Sequence, residues 1–181
     1  MEPILDISKL GIDFGGLHAL DDFSVQVRDG EIVGLIGPNG AGKTTVFNLL
    51  TNVYKPSRGS IKLHGHNTRG KTPHEVTHSG IARTFQNIRL FRDLSVIDNV
   101  KIALHHNMHY HLFSAIFRLP SYWKEEKRIT QEALDLLSVF DMQNMADDIA
   151  GSLPYGAQRR LEIVRALATN PQVLLLDEPA A

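Results

Sequence analysis

Residues 37–44 read GPNGAGKT, behind the unbroken apolar run IVGLI at 32–36 and ahead of TVFNLL at 45–50. The eight residues fit the pattern G-x-x-x-x-G-K-[ST], and the flanks predict a strand before it and a helix after it. Each residue type has a chemical reason. Gly37, Gly40 and Gly42 permit positive φ and leave room for phosphate oxygens against the backbone. Successive N–H groups form an anion nest, and the start of the helix adds its positive end. Lys43 can reach β- and γ-phosphates, and the Thr44 hydroxyl can ligate Mg²⁺. The run 32–36 contains no polar residue, which predicts a strand buried on both faces. Downstream, residues 44–52 read as a helix with Val46, Phe47, Leu49 and Leu50 on its inner side. The glycine order G-x-x-G-x-G, followed by Lys-Thr, is not the dinucleotide-binding order.

Working upstream, Ile4, Leu5 and Ile7 begin a strand. Phe23, Val25 and Val27 alternate with polar residues before the turn Asp29-Gly30, the pattern of a half-buried strand. Downstream, Pro56 to Gly59 is a loop and residues 60–64 a short strand. From Asn87 the pattern turns helical. Ser95 is placed to cap a helix holding Ile97, Val100, Ile102 and Leu104. Residues 121–140 are amphipathic, with Ile129, Ala133, Leu136, Leu137 and Phe140 on one face. Leu161, Val164, Leu167 and Ala168 mark another helix, stopped by Asn170-Pro171. Residues 173–176, VLLL, predict a second fully buried strand, with the two carboxylates Asp177 and Glu178 at its end. Ligands of open α/β sheets sit at the carboxyl ends of strands. Asp177 can hold Mg²⁺ through its water shell, and Glu178 can accept a proton from an attacking water.

The balance of the chain agrees with an α/β core interrupted by helices. It has 181 residues, the length of one domain, with 43% apolar and 22% charged residues. That composition supports a core and excludes a disordered chain. Nineteen basic and twenty acidic residues give a net charge of −1, so no electrostatic footprint for nucleic acid is expected. Absence of cysteine excludes disulfides and thiolate chemistry. No apolar run approaches the roughly 18 residues of a membrane span, and residues 1–3 lack a signal-peptide pattern. A cytoplasmic chain is expected, with any membrane contact made through another protein.

With both motifs in place, the chain resembles the ATP-binding subunits of ABC transporters over all 181 residues. The resemblance implies a P-loop NTPase core of RecA-like type, with an N-terminal antiparallel β-subdomain and an inserted α-helical subdomain. Residues 1–86 would hold the β-subdomain and phosphate loop, 87–160 the helical insert, and 161–181 the return to the core. It implies ATP and Mg²⁺ as ligands. Gly37, Pro38, Asn39, Gly40, Ala41, Gly42, Lys43, Thr44 and Thr45 would cradle the phosphates. Phe14 occupies the place of the aromatic that stacks on adenine. Gln86 in RTFQ looks like the glutamine that touches Mg²⁺ and the attacking water and senses the membrane partner. Thr44, Gln86 and Asp177 would hold the metal, and Glu178 would be the catalytic base. Leu153, Pro154, Tyr155, Gly156, Ala157 and Gln158 sit where the family signature L-S-G-G-Q belongs. That segment would contact ATP on a second subunit. Here Pro154 stands for the serine and Tyr155 for the first glycine.

Residues 153–165, of the form L-x-Y-G-x-Q-R-R-L-E-I-x-R, are similar to the branched-chain amino-acid transport branch, as are 37–47, 83–92, 111–123 and 177–181. The implied partners are a second ATP-binding subunit, in a homo- or heterodimer, and transmembrane permease subunits docking near Gln86 and the helical subdomain. The implied place is the cytoplasmic face of the plasma or inner membrane, as a peripheral subunit. A D-loop and a switch histidine follow Glu178 in that family, so a C-terminally truncated core with weak hydrolysis is expected. The alternatives are a superfamily member acting on DNA or the ribosome, and an inactive fragment. His105, His106, His109 and His111 form a cluster, with His105 and His109 at metal-binding spacing, although a solvated polar face is the simpler reading.

Overall fold

The computed structural model describes residues 2–84, 86, 88–105 and 120–177. It divides into two compact units, Met1–Ile81 and Ala82–Ala181.

The first unit is built on a four-stranded antiparallel sheet in the order β2-β1-β3-β4. Strand β1 (Leu5–Phe14) lies between β2 (Leu17–Val27) and β3 (Arg58–Leu63), and β4 (His66–Asn67) closes the edge. The period-two pattern sets the register: Ile7 faces Val25 on one side and Ile61 on the other. The pattern breaks at Leu10, Gly11 and Ile12, all buried, because both ladders shift register after residues 7–8. An irregularity of this kind turns consecutive side chains to one face. Gly59, at φ +83°, fits this bend closely; a Cβ there would stand 2.3 Å from the Lys9 carbonyl oxygen. Helix α1 (Lys43–Leu50) buries Val46, Leu49 and Leu50, while Phe47 is only half-buried. Helix α2 (Pro73–His78) starts with a capping box: Thr72 Oγ1 accepts from the Glu75 N–H, and Glu75 accepts from the Thr72 N–H.

One expectation fails here. Residues 32–36 form no strand, and Ile32 and Ile36 are 98% and 95% exposed. An apolar run becomes a doubly buried strand only when ladder partners lie on both sides. The sheet of this unit is complete without it, ending at β2 and β4.

In the second unit β5 (Ile81–Arg83) pairs with β6 (Val173–Leu175). The β6 strand is one residue shorter than expected and half-buried rather than fully buried, with Leu176 36% exposed. A two-stranded sheet covers too little of either face to bury it. Helices α3 (Val96–Leu104), α4 (Pro120–Val139) and α5 (Tyr155–Ala168) pack on one apolar cluster. Val100, Ile129, Leu137, Leu161 and Val164 are fully enclosed in it. Ser95 caps α3 as expected, its hydroxyl accepting from the Asp98 N–H at 3.1 Å. Ile102 is exposed instead of inward, and Asn99 takes the inner place. The Asn99 amide is satisfied three times over. Its oxygen accepts from the Phe91 N–H at 3.0 Å, and its nitrogen donates to the carbonyls of Phe91 at 3.0 Å and Ser95 at 2.9 Å. Residues 111–119, within the stretch 111–123 that is similar to the branched-chain transport branch, lie outside the described residues.

Candidate nucleotide site

Gly42 is the N-cap of α1 at φ +86°, and Gly40 sits at φ +83°. These left-handed residues turn the chain back over the helix start, a conformation costly for other residues. Gly42 offers no side chain to cap the helix, so the N–H groups of Lys43, Thr44 and Thr45 have no hydrogen-bond partner among the described residues. Such open donors at a helix start attract anions. Lys43 Nζ folds back onto the loop, donating to the carbonyls of Gly37 at 2.6 Å and Pro38 at 3.0 Å. The lysine is half-buried, less enclosed than a wholly interior cation, and Pro38, Asn39, Gly40, Ala41 and Thr44 are exposed. The loop thus presents its open donors on an exposed surface.

Phe14 ends β1 in the same unit, 45% exposed, with its ring edge-to-face on Tyr54. Beside it, the His18 ring nitrogen lies 2.6 Å from Asp13, and Arg58 bridges Asp13 and Asp21. The His18 hydrogen bond, then the Arg58 charge, holds the Asp13 carboxyl below its ordinary range.

In the second unit Asp177 follows β6 and is 6% exposed. Its Oδ2 accepts from Arg83 Nη2 at 2.9 Å, between side chains only 8% and 6% exposed. Its own N–H donates to Thr84 Oγ1 at 3.2 Å, and Arg159 Nη2 reaches its carbonyl at 3.4 Å. Asp177 Oδ1 has no hydrogen-bond partner among the described residues. One buried carboxylate with one open oxygen fits Mg²⁺ carried on nucleotide phosphates, which takes one or two protein carboxylates and keeps several waters. Among the described residues no group of three acidic or histidine side chains could cage a metal. Gln86 is exposed after β5. Glu178, and His106, His109 and His111 of the histidine cluster, lie outside the described residues.

The expected signature segment begins α5. Pro154 is its N-cap, with φ −55° and ψ 148°, and its carbonyl accepts from the N–H groups of Ala157 at 2.9 Å and Gln158 at 3.0 Å. Leu153, Ala157 and Gln158 are buried, and Gln158 Nε2 donates to the Leu153 carbonyl at 2.8 Å. Pro154, Tyr155 and Gly156 are exposed, and a Cβ at Gly156 would meet open space. The N–H groups of Tyr155 and Gly156 have no partner among the described residues.

Residues 20–181 match the family described as ABC transporter. The chain belongs to the ABC transporter family. Its relatives include the high-affinity branched-chain amino acid transport ATP-binding protein BraF of Pseudomonas aeruginosa. That protein is 41% identical over 99% of this chain and 70% of its own length. LivG of Salmonella typhimurium, with the same description, is 43% identical over 99% of this chain and 71% of its own. The solved ADP conformation of MJ1267, an ATP-binding cassette of an ABC transporter, superposes with a TM-score of 0.82. It is 32% identical, covering 100% of this chain and 70% of that one. As an ABC transporter ATP-binding domain the chain is an ATPase coupled to transport. Domains of this kind bind ATP, generally with Mg²⁺, and work with transmembrane permease components. Among the described residues of this ABC domain no helix is long and apolar enough to cross a membrane.

Two residues at these sites escaped the sequence reading. Arg83 was visible only as part of the RTFQ stretch, although a basic residue at a strand end predicts a nearby acid. Tyr54 carried no signal beyond being an aromatic just after a helix.

Proposed function

We propose that this ABC domain hydrolyses ATP to drive import of branched-chain amino acids, the substrates in its relatives' names. The observation that carries the reading is the open phosphate seat of α1, with Lys43 Nζ held on the Gly37 and Pro38 carbonyls beside three open N–H groups. Phosphate oxygens would take over Nζ from these neutral carbonyls, gaining charge-assisted bonds. Phe14 stacks the adenine. Thr44, Gln86 and Asp177 would hold Mg²⁺, partly through water, and when bound it neutralises phosphate charge. Gln86 orients the attacking water and Glu178 takes its proton. Residues 1–86 form the core portion with the loop, 87–160 the helical insert, and 161–181 the return to the core.

In a dimer with a second ATP-binding subunit, residues 153–158 face the nucleotide of the other subunit. Pro154 lacks a hydroxyl, so the open N–H groups of Tyr155 and Gly156 and the helix dipole supply the attraction. Permease subunits dock near Gln86 and the helical insert, which places the domain at the cytoplasmic face of the membrane.

The test is reconstitution with the transmembrane permease subunits. Glu178→Gln keeps size and loses basicity, so ATP binding should persist while hydrolysis and leucine uptake collapse. Normal turnover by Glu178→Gln would make another group the base. Uptake confined to a solute other than branched-chain amino acids would remove the substrate assignment and leave the ATPase standing.

A further inference from the structure

Tyr54 stands four residues past the end of α1. Its N–H donates to the Asn48 carbonyl at 3.0 Å, which ties it to the last turn of that helix. Its ring meets Phe14 with centroids 5.3 Å apart and planes at 77°. The two rings stay open to solvent, at 45% for Phe14 and 37% for Tyr54. The strand partner of Phe14 is Leu17. Two residues further along β2 lies Ala19, and a Cβ at Gly42 would stand 3.3 Å from its carbonyl oxygen. At roughly 3.3 Å per residue, the aromatic end of the hairpin lies about 7 Å along the strand from the phosphate seat. That interval is shorter than a nucleotide.

We propose that Tyr54 is a positioning residue of the nucleobase site, holding the Phe14 ring so that an open face meets a planar heteroaromatic base. The proposal rests on Phe14 being the adenine platform. An aromatic side chain at a strand end with no neighbour samples several rotamers, and ordering it on binding costs affinity. An edge-to-face partner selects one orientation and covers at most one face of the ring. Because Tyr54 is fastened to the C-terminal end of α1, the base platform and the phosphate seat at its N-terminal end share one rigid helix.

Calorimetry with Mg-ATP and with magnesium tripolyphosphate tests this, because tripolyphosphate has the phosphates and no base. Tyr54→Ala should weaken ATP about fivefold and leave tripolyphosphate binding unchanged. Tyr54→Phe should restore ATP affinity. In a Phe14→Ala background, Tyr54→Ala should add nothing. Equal losses for ATP and tripolyphosphate would mean that Tyr54 acts on α1 and not on the base, and would overturn the proposal. So would wild-type ATP affinity in Tyr54→Ala when Phe14→Ala is weakened, a result that spares the platform. Wild-type ATP affinity in Phe14→Ala would overturn the platform and the proposal together. Where tripolyphosphate binding is retained it shows that the variant is folded, and an unchanged thermal melting curve shows the same for a variant that loses both ligands.

Discussion

Arg83 and Asp177 are a buried pair whose members depend on each other. Each side chain is less than a tenth exposed, and the 2.9 Å bond joins residues 94 positions apart. Removing one member of such a pair leaves an uncompensated charge in a poorly solvated place, at a cost of about 3–5 kcal/mol. Arg83→Gln should lose stability on that scale in urea unfolding. Arg83→Gln with Asp177→Asn should recover much of it, because neither charge is then stranded. A loss below about 1 kcal/mol for the single variant would mean that water reaches Asp177 freely. The contrast with the phosphate loop shows what a sequence displays at this scale. Residues 37–44 carry their chemistry in consecutive positions, so pattern and mechanism are visible together. The partner of Asp177 lies on another strand, and only the β5–β6 pairing brings it close.

Helix ends carry the next predictions. At α2, Thr72→Ala removes the acceptor for the Glu75 N–H and should cost about 1 kcal/mol in thermal unfolding. The Thr72 N–H, then its hydroxyl, holds the Glu75 carboxyl below its ordinary 4.5. A depressed carboxyl stabilises fully above its unfolded value and loses that contribution as pH falls through the lower folded value. The melting temperature should therefore drop on acidification below about pH 4.5, and Glu75→Gln should flatten that part of the profile. An identical acid profile in Glu75→Gln would remove the box from the pH response. At α5, the open space beside Gly156 lets Gly156→Asp fold, but it puts a carboxylate where a partner's phosphate would lie. Like-charge contact costs several kcal/mol. Each subunit should still bind ATP while ATP-dependent dimerisation, followed by light scattering, is lost. Pro154→Ser should dimerise, since it adds a donor. The β2 alternation and the Ser95 cap were legible because each is written in local spacing. Residues 32–36 misled because burial of a strand depends on neighbours, and the run itself names none.

At the scale of the whole molecule, ligand binding and folding are linked. A ligand that binds the folded chain alone stabilises it by about 2.7 kcal/mol at a hundred times its Kd. Mg-ATP should raise the melting temperature of the wild-type chain and much less that of Lys43→Ala, whose affinity should fall at least tenfold. An equal rise in both would show that the nucleotide is held elsewhere. The structure divides into two compact units at Ile81 and Ala82, close to where the sequence turns from strand to helical patterning and where glycine becomes scarce. Which side chains share each core is not written in residues taken singly.

Asn99 has a consequence for how this molecule tolerates genetic change. Its amide gives one acceptor and two donors to three backbone groups at the start of the helical bundle. A single-base change in an asparagine codon yields Asp, His, Ile, Lys, Ser, Thr or Tyr. None of these presents an acceptor beside a two-hydrogen donor at that length. Every such replacement therefore gives up at least one of the three bonds that hold Phe91 and Ser95 to the helix. A saturation library selected for folding should return asparagine there almost alone, while the exposed Ile102 three residues along the same helix accepts broad replacement.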